Sequence, residues 1–403
     1  MKEMDLTLAG TFTRSAPKTN AATVRLDTTQ YSLIHSLLNS HSARSAATFG
    51  VVAPICALSV VITYVALIGF AMFSGAPLTI PHGSIHLPFL HDWNVIFMFV
   101  VSLPTVVALT LLDQTALANA LARVQADEII SVNAADARDL QRHWENLFGR
   151  VNRVAQVIGC TIGIVVAFAN YWAYSQPRVG FWIALDGRML PVGWYFLFCL
   201  WLFYAVVTFY IIRTISVSLF LASLVRQGHI RMLPFHPDHC GGLRPVGRLG
   251  LRNQYGLTVF GINVVLFLLT ARAYQALPPV HALIAVTIVG YLVVGPLVFL
   301  GPLAPFRSGM VRTKGDLLGE VAARLRLELQ RLRKEISHGV ITREDEELID
   351  RLRKIGSVID ELPVWPFDSG TLLRFVTAYL LPLLSAVAYP IGRYIFDIVL
   401  KHG

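Results

Sequence analysis

Seven apolar stretches, most of them close to the length of a membrane-crossing helix, dominate this chain of 403 residues. A helix needs roughly 20 apolar residues to cross the hydrocarbon core of a bilayer, and the first six stretches come close to that length. The seventh is less regular, because Pro382, Pro390 and Arg393 interrupt it. The stretches predict an all-α integral membrane protein with about seven transmembrane helices, at residues 49–74, 95–112, 154–174, 192–212, 255–273, 279–300 and 372–400.

The composition also favours a chain that is embedded in a membrane. Hydrophobic residues make up 55% of the chain and charged residues only 15%, whereas about a quarter of the residues of a soluble domain are charged. The four cysteines form no Cys-x-x-Cys pair, so a disulfide framework is not expected. No cleavable signal peptide is visible, and residues 1–47 are predicted to be a flexible polar tail.

Lysine and arginine are distributed unequally between the two sides of the predicted spans. The segment 75–94 has neither residue, and 175–191 has only two arginines. The segments 113–153, 213–254 and 304–371 are all rich in basic residues and share a side with the N-terminus. Since basic residues concentrate on the cytoplasmic side of a membrane, this pattern predicts a cytoplasmic N-terminus.

The basic segments are predicted to be helical. Residues 113–150 contain few helix breakers and extend the second span on the cytoplasmic side. Residues 316–362 carry apolar side chains three or four positions apart, with a break at 337–339, which is typical of two amphipathic helices in an antiparallel hairpin. The resulting division of the chain is a tail at 1–47, a six-span region at 48–304 with a cytoplasmic loop at 229–252, a helical extension at 305–362, and an interfacial segment with the seventh span at 363–403.

The loop between the fourth and fifth spans has the densest concentration of unusual side chains. Residues 233–251 read LPFHPDHCGGLRPVGRLGL. A bound divalent metal such as zinc is one hypothesis for this loop, because four side chains carry suitable ligand atoms: His236, Asp238, His239 and Cys240. Their spacing argues against it, because neighbours such as His239 and Cys240 cannot easily bind the same ion.

A structural interpretation of the same loop is favoured over the metal. Pro237, Gly241 and Gly242 are residue types that shape tight turns. Asp238 can then cap the start of a helix or pair with Arg244. Three basic residues follow the turn and are predicted to bind anionic lipid headgroups, namely Arg244, Arg248 and Arg252.

The pattern HPDxxGGL, from His236 to Leu243 and followed by Gly247, resembles a loop in a group of uncharacterised bacterial multi-pass inner-membrane proteins. The sequence Trp-Pro-Phe-Asp at residues 365–368 is similar to the C-terminal part of the same group. The resemblance covers about the second half of the chain. It implies a location in the bacterial inner membrane, and it implies no activity.

A second group of histidines lies in the predicted outer loop. His82, His86 and His91 are interspersed with prolines and a glycine that oppose a helix, so we interpret this loop as a Pro-rich surface segment with solvated imidazoles. A role in sensing pH is the alternative, because histidine titrates near neutral pH.

Polar residues are scarce within the predicted spans, and no ionisable residue lies near the centre of the first six. Asn170 and Asn263 are the main intramembrane polar candidates, and such amides usually make hydrogen bonds between helices. A proton-coupled transporter would need a carboxylate within the membrane, so its absence from the predicted spans disfavours active transport.

Passive conduction fits these features best. Proline-containing spans, long cytoplasmic helices and the missing carboxylate predict an ion channel or passive pore, built as a homo-oligomer if one chain cannot enclose the pathway. Two alternatives remain open: a metal-binding protein or metal-dependent membrane enzyme that uses residues 236–240, and a scaffold or sensor that recruits a soluble partner through residues 316–362.

No known catalytic motif occurs, so an enzyme is not expected, and the sequence requires no cofactor. The expected partners are the lipid bilayer, anionic headgroups and further copies of the chain, and not nucleic acid.

Overall fold

The computed structural model of the chain is mostly helical, as predicted. The structure describes residues 49–80, 87–131, 134–176, 181–185, 187–227, 229–230, 236–238, 240–273, 278–336 and 343–380, together with Pro382 and Leu384. The predicted tail at 1–47 and most of the predicted seventh span lie outside the described residues. The same is true of His82, His86 and His239.

Five helices are long and apolar enough to cross a membrane: Gly50–Phe73, Trp93–Ala126, Ala135–Tyr174, Pro191–Gln227 and Arg244–Thr270. A sixth crossing results if Ala285–Leu300 and Ala304–Arg333, which meet at a bend of 44°, count as one span. These helices coincide with the first six predicted stretches. A helical chain with five or six such helices is thus confirmed among the described residues, whereas a count of seven is not.

Two of these helices contain a π-helical turn. Helix α1 (Phe49–Val60) continues through Val61–Val65 into α2 (Ala66–Phe73), and α3 (Trp93–Phe97) continues through Met98–Ser102 into α4 (Leu103–Ala126). The second π turn ends at Ser102, two residues before Pro104, the proline predicted inside this span. Proline has no N–H and its ring crowds the carbonyl group four residues earlier, which here belongs to the π turn, so the wider turn accommodates it without ending the helix.

The remaining helices are α5 (Ala134–Tyr174), α6 (Pro191–Gln227), α7 (Arg244–Ala273), α8 (Pro278–Leu300), α9 (Ala304–Ile336) and α10 (Arg343–Asp360). Helix α7 begins at Arg244 and not at Tyr255, where the fifth apolar stretch starts. Two local features allow the earlier start. Pro245 suits the first turn of a helix, and the side chain of Asp238 accepts a hydrogen bond from the N–H of Arg244.

Two short antiparallel strand pairs fix the loops at opposite ends of the bundle. Strand β1 (Ile130–Ser131), after α4, pairs with β4 (His229–Ile230), after α6. Strands β2 (Ala184–Leu185) and β3 (Arg188–Met189) form a hairpin before α6. The β1–β4 pair therefore brings the chain that follows α6 close to the end of α4.

Helices α9 and α10 form an antiparallel hairpin. Nζ of Lys314, near the start of α9, lies 3.1 Å from Oδ1 of Asp360, the last residue of α10. On α10, Leu352 and Ile359 are buried, as expected for the apolar face of an amphipathic helix. The hairpin occupies most of the segment predicted at 305–362.

Among the described residues, the bundle has two large hydrophobic cores and a smaller cluster of Leu257, Tyr291 and Val298. One contains Trp182 and Phe196 at the end where α3 and α6 begin. The other contains Trp144 and Phe299 at the end where α7 begins. Along α4, Leu111 belongs to the first core and Leu117 to the second. The residues between these two positions lie at the boundary between the cores.

The described part of the predicted outer loop is partly enclosed. His91 ends a short 3-10 turn, Phe89–His91, and Asp92 follows it as the N-cap of α3. Phe89 and Asp92 are buried, and Phe89 belongs to the first core. His91, the described histidine of this loop, is exposed, as the prediction of solvated imidazoles requires.

Candidate functional site

Asp238 organises the turn that precedes α7. Its Oδ1 accepts hydrogen bonds from the backbone N–H groups of Cys240 and Gly242, both at 2.9 Å, and its Oδ2 accepts one from the N–H of Arg244 at 3.1 Å. Arg244 is the first residue of α7, and its N–H has no partner within the helix. Burial alone would raise the pKa of Asp238, but these three donors and His236 outweigh it and lower the pKa below its ordinary value.

The two glycines of the turn hold backbone conformations that other residues rarely adopt. Gly241 has a φ of 64° and Gly242 a φ of 91°, and both values lie in the left-handed region. At Gly242 a Cβ atom would in addition overlap the side chain of Ile129. Pro237 lies exposed in the same turn. The turn is therefore tightly constrained and holds Asp238 against the start of α7.

Three of the four predicted metal ligands are described, and their contacts are those of the turn. Nδ1 of His236 lies 2.8 Å from Oδ1 of Asp238, and its Nε2 lies 3.6 Å from Oδ2 of Asp127. Burial raises the pKa of the Cys240 thiol to about 11, whereas a cysteine that binds a metal must be deprotonated. Within the described residues, no three His, Cys, Asp or Glu side chains are grouped so that they could hold a metal ion.

A basic pocket of about 390 Å³ lies between this turn and the end of α4. Three arginines line it, namely Arg123, Arg244 and Arg248, and so do His236, Asp127 and Asp238. The planar guanidinium group suits phosphate and carboxylate groups, so the basic pocket is chemically suited to a small anion or a phosphate headgroup. The sequence predicted two of the arginines. Arg123 was missed, because only the packing of α4 against the turn brings it to the pocket.

The turn also contacts the Trp-Pro-Phe-Asp segment at 365–368. Nη2 of Arg244 lies 3.6 Å from Oδ2 of Asp368. Gly247 packs so closely against this segment that a Cβ atom there would overlap the carbonyl oxygen of Pro366. The two motifs that carry the sequence resemblance are thus neighbours in space.

A charge cluster of Asp113, Arg213 and Arg252 joins α4, α6 and α7. Nε of Arg213 donates a hydrogen bond to Oδ2 of Asp113 at 3.0 Å, and Nη2 of Arg252 donates one to Oδ1 at 2.8 Å. The side chains of Arg213 and Asp113 are 1% and 3% exposed. Nη1 of Arg252 also donates to the carbonyl oxygen of Leu112 at 3.0 Å. Among the described residues, two guanidinium groups thus share one buried carboxylate inside the helix bundle.

The charge cluster corrects two predictions. Asp113 and Arg213, which the sequence placed in basic segments beyond the second and fourth apolar stretches, are buried at the boundary between the two cores. Arg252, which was predicted to bind headgroups, directs its guanidinium to Asp113 instead. Hydropathy marks where an apolar stretch ends, but it does not mark where the helix ends or whether the next polar side chain is buried.

Polar side chains extend the charge cluster along α7. The hydroxyl of Tyr210 donates to Oδ1 of Asn253 at 3.4 Å, and Nη2 of Arg252 donates to the same oxygen at 3.3 Å. Gln254 is fully buried, and neither atom of its amide has a hydrogen-bond partner among the described residues. An unpaired buried amide costs about 1–3 kcal/mol, and such a group is often the partner of a bound water molecule or ion.

The two amides predicted within the spans make different hydrogen bonds. Nδ2 of Asn263 donates to Oδ1 of Asn94 at 3.0 Å and to its backbone carbonyl at 3.1 Å, which links α7 to α3. Nδ2 of Asn170 donates to the carbonyl of Val166 at 2.8 Å, within α5. The expected bond between helices is therefore made by Asn263 and not by Asn170.

These features define a helical protein with five or six helices long and apolar enough to cross a membrane. Its candidate site combines the basic pocket at the start of α7 with the charge cluster buried two turns further along that helix. No protein-family model matches the chain, and no curated protein and no solved structure shows a match either.

Proposed function

We propose that the chain is a multi-pass membrane protein that forms a passive pore for anions, with the charge cluster as its gate. The observation that carries the proposal is the pair of arginines, Arg213 and Arg252, that share the carboxylate of Asp113 inside the bundle. Charges inside a membrane bundle are costly and typically mark a pathway for ions or substrates. Arginine side chains along such a pathway favour anions over cations.

Helix α7 supplies a polar route between the two ends of the bundle. It begins at the basic pocket with Arg244 and Arg248 and continues to Arg252. Asn263 lies about three helical turns beyond Arg252 and therefore on the same face. From Arg244 to Asn263 the helix rises about 28 Å, which is close to the roughly 30 Å thickness of the hydrocarbon core.

The ion pairs are suited to a gate because one carboxylate holds three helices together. Asp113 contacts Arg213 on α6 and Arg252 on α7 at the same time. To open this contact, an anion replaces the carboxylate as the partner of a guanidinium. The exchange avoids an unpaired buried charge, which would cost several kcal/mol.

The remaining parts of the proposal rest on the sequence. A bacterial inner membrane, a cytoplasmic N-terminus and a seventh span within 372–400 agree with the placement of basic residues and with the resemblance of the HPDxxGGL loop. The basic pocket then faces the cytoplasm, where Arg244 and Arg248 bind anionic headgroups. A homo-oligomer completes the pore where one chain does not enclose it.

Anion flux from liposomes that contain the purified protein tests this proposal. We expect chloride efflux above that of protein-free liposomes and above potassium efflux. Arg252→Gln removes one positive charge from the charge cluster, and we expect the ratio of chloride to potassium flux to fall about tenfold, or about 1.4 kcal/mol. Arg226→Gln, which changes an exposed arginine in the last turn of α6, is the matched control and leaves this ratio unchanged.

Two results would contradict the anion pore. One is a wild-type chloride flux no greater than that of protein-free liposomes at any membrane potential or pH. The other is a potassium flux that exceeds the chloride flux. Chemical cross-linking in the same liposomes measures the oligomeric state, and a cross-linked ladder is expected.

A second candidate function is recruitment of a soluble partner through the α9–α10 hairpin. Leu327 and Leu329 on α9 and Ile355 on α10 are exposed in the described part of the structure, and exposed apolar side chains often mark contact surfaces. A photoreactive amino acid at position 327 of the full chain tests it in native membranes. The expected result is one cross-linked soluble protein that is absent when the probe is placed at the charged position 326.

A further inference from the structure

An elongated cavity of about 380 Å³ lies between α6 on one side and α7 and α8 on the other. Its lining along α6 runs from Phe196 to Ile211, which corresponds to about 22 Å of helix. Its volume falls in the range of roughly 300–1,000 Å³ that is typical of ligand pockets. The cavity is separate from the basic pocket and shares none of its lining residues.

Most of the lining is apolar, and three amide side chains are placed at the end remote from the basic pocket. They belong to Asn94, Asn170 and Asn263, and each is more than nine-tenths buried. Nδ2 of Asn263 donates to Asn94. Nδ2 of Asn94 therefore remains available as a donor, and Oδ1 of Asn263 remains available as an acceptor. The cavity therefore offers hydrogen bonds at one end and only a few scattered hydroxyl groups among apolar contacts along the rest.

The cavity opens sideways, through residues on the flanks of helices that are apolar enough to cross a membrane. Ile162 on α5 and Val286 on α8 line it and are exposed, Val286 to 73%. Gly290 lies one turn from Val286, and a Cβ atom added there would meet no atom within 4 Å. For a chain in a bilayer, the medium outside this opening is the hydrocarbon of the lipids.

We propose that this cavity binds one acyl chain of a bilayer phospholipid, with its ester carbonyl at the amide end. Half of the roughly 30 Å hydrocarbon core corresponds to about 15 Å for the chain of one leaflet, and the lining along α6 is long enough to hold it. The ester carbonyl is an acceptor for Nδ2 of Asn94, and the headgroup stays at the membrane surface. This site does not depend on the proposed anion pore, because it rests on the lining and the opening alone.

A phospholipid with a diazirine midway along one acyl chain tests the site in liposomes that contain the full chain. We expect the probe to label Leu200 on α6 and Leu257 on α7, which line the cavity and are buried from bulk lipid. Gly290→Phe places a ring in the cavity, and this labelling falls at least fivefold. Gly69→Phe is the matched control, because a Cβ atom at Gly69 also meets open space but lies outside the cavity, and it leaves the labelling unchanged.

Native mass spectrometry of the detergent-purified protein gives an independent count, and Gly290→Phe retains one phospholipid fewer than the wild type. Equal labelling of Leu200 and Leu257 in Gly290→Phe and wild type would overturn the proposed site. The same labelling is repeated with a free fatty acid that carries the diazirine. If the fatty acid labels the cavity and the phospholipid does not, the assignment to a phospholipid is overturned. Val286→Trp narrows the same opening and replaces Gly290→Phe if that variant fails to fold.

Discussion

Asp92 is a buried carboxyl group at the start of α3. Its Oδ1 accepts a hydrogen bond from the N–H of Val95 at 3.3 Å, and its Oδ2 accepts one from the indole N–H of Trp182 at 3.1 Å. Burial raises the pKa of Asp92 to about 6, although these hydrogen bonds lower it in part. The folded protein therefore holds this proton to a higher pH than the unfolded chain does.

The contribution of Asp92 to stability is expected to fall as the pH rises from about 4 to about 6. In this window the folded state binds more protons than the unfolded state, so each step toward neutral pH favours unfolding. A shift of about two pKa units corresponds to about 3 kcal/mol at most. Asp92→Asn has no titrating group at this position. The unfolding temperature of Asp92→Asn, relative to that of the wild type, is therefore expected to increase from pH 4 to pH 6.

The unfolding temperatures of the wild type and Asp92→Asn, measured at pH 4, 5, 6 and 7, check this expectation. Asp316→Asn, which changes an exposed carboxyl group on α9, is the control and follows the wild type at every pH. A constant difference between Asp92→Asn and the wild type across this range would show that Asp92 does not titrate as described.

At the scale of elements, the start of α7 depends on one side chain. Asp238→Ala removes the acceptor of three backbone N–H groups, and we expect a loss of about 1–3 kcal/mol in the free energy of unfolding. Amide hydrogen exchange should become faster at residues 240–244 and stay unchanged in α5. Asp238→Asn keeps one side-chain oxygen as an acceptor, so we expect its exchange rates to lie between those of the wild type and those of Asp238→Ala. Exchange rates equal to those of the wild type would exclude this role of Asp238.

Prediction of elements from the sequence succeeded for the apolar stretches and failed at their ends. A stretch of about 20 apolar residues predicts a helix because a helix satisfies its backbone polar groups within the stretch itself. Its limits depend on local partners that the apolar pattern does not contain. Helix α7 extends back to Arg244 because of Asp238. The extension of α4 past Asp113 was predicted, but the burial of that carboxylate against two arginines from other helices was not.

At the scale of the whole molecule, Gly247 joins α7 to the segment that precedes the last predicted span. Gly247→Val adds three carbons, the first of them against the carbonyl oxygen of Pro366, and we expect a loss of about 1–3 kcal/mol from overpacking. Limited proteolysis should then cut more readily near residues 363–368. Gly315→Val is the control, because it makes the same substitution within a helix, on α9, at a position where a Cβ atom would meet no other atom within 4 Å. Equal cleavage in both variants would contradict a packed junction at Gly247.

The sequence predicted some residues of the candidate site but not which distant residues join them. The tight turn, its two glycines and two of the three arginines of the basic pocket were visible in the HPDxxGGL stretch and its surroundings. Arg123 and Asp368 were not, because they reach the site from distant parts of the chain. The charge cluster was missed for the same reason, since its members lie beyond the ends of apolar stretches and only the packing of α4, α6 and α7 brings them together and buries them.

The charge cluster also sets an order for the synthesis of the chain. Asp113 precedes Arg213 by 100 residues and Arg252 by 139. At roughly 5–20 residues per second, the carboxylate waits about 5–20 s for its first guanidinium. Until α6 has been synthesised, Asp113 has neither of the two arginines that contact it in the folded chain, so burial of its carboxylate is costly in that interval. The contact that joins α4, α6 and α7 can therefore form only late in synthesis.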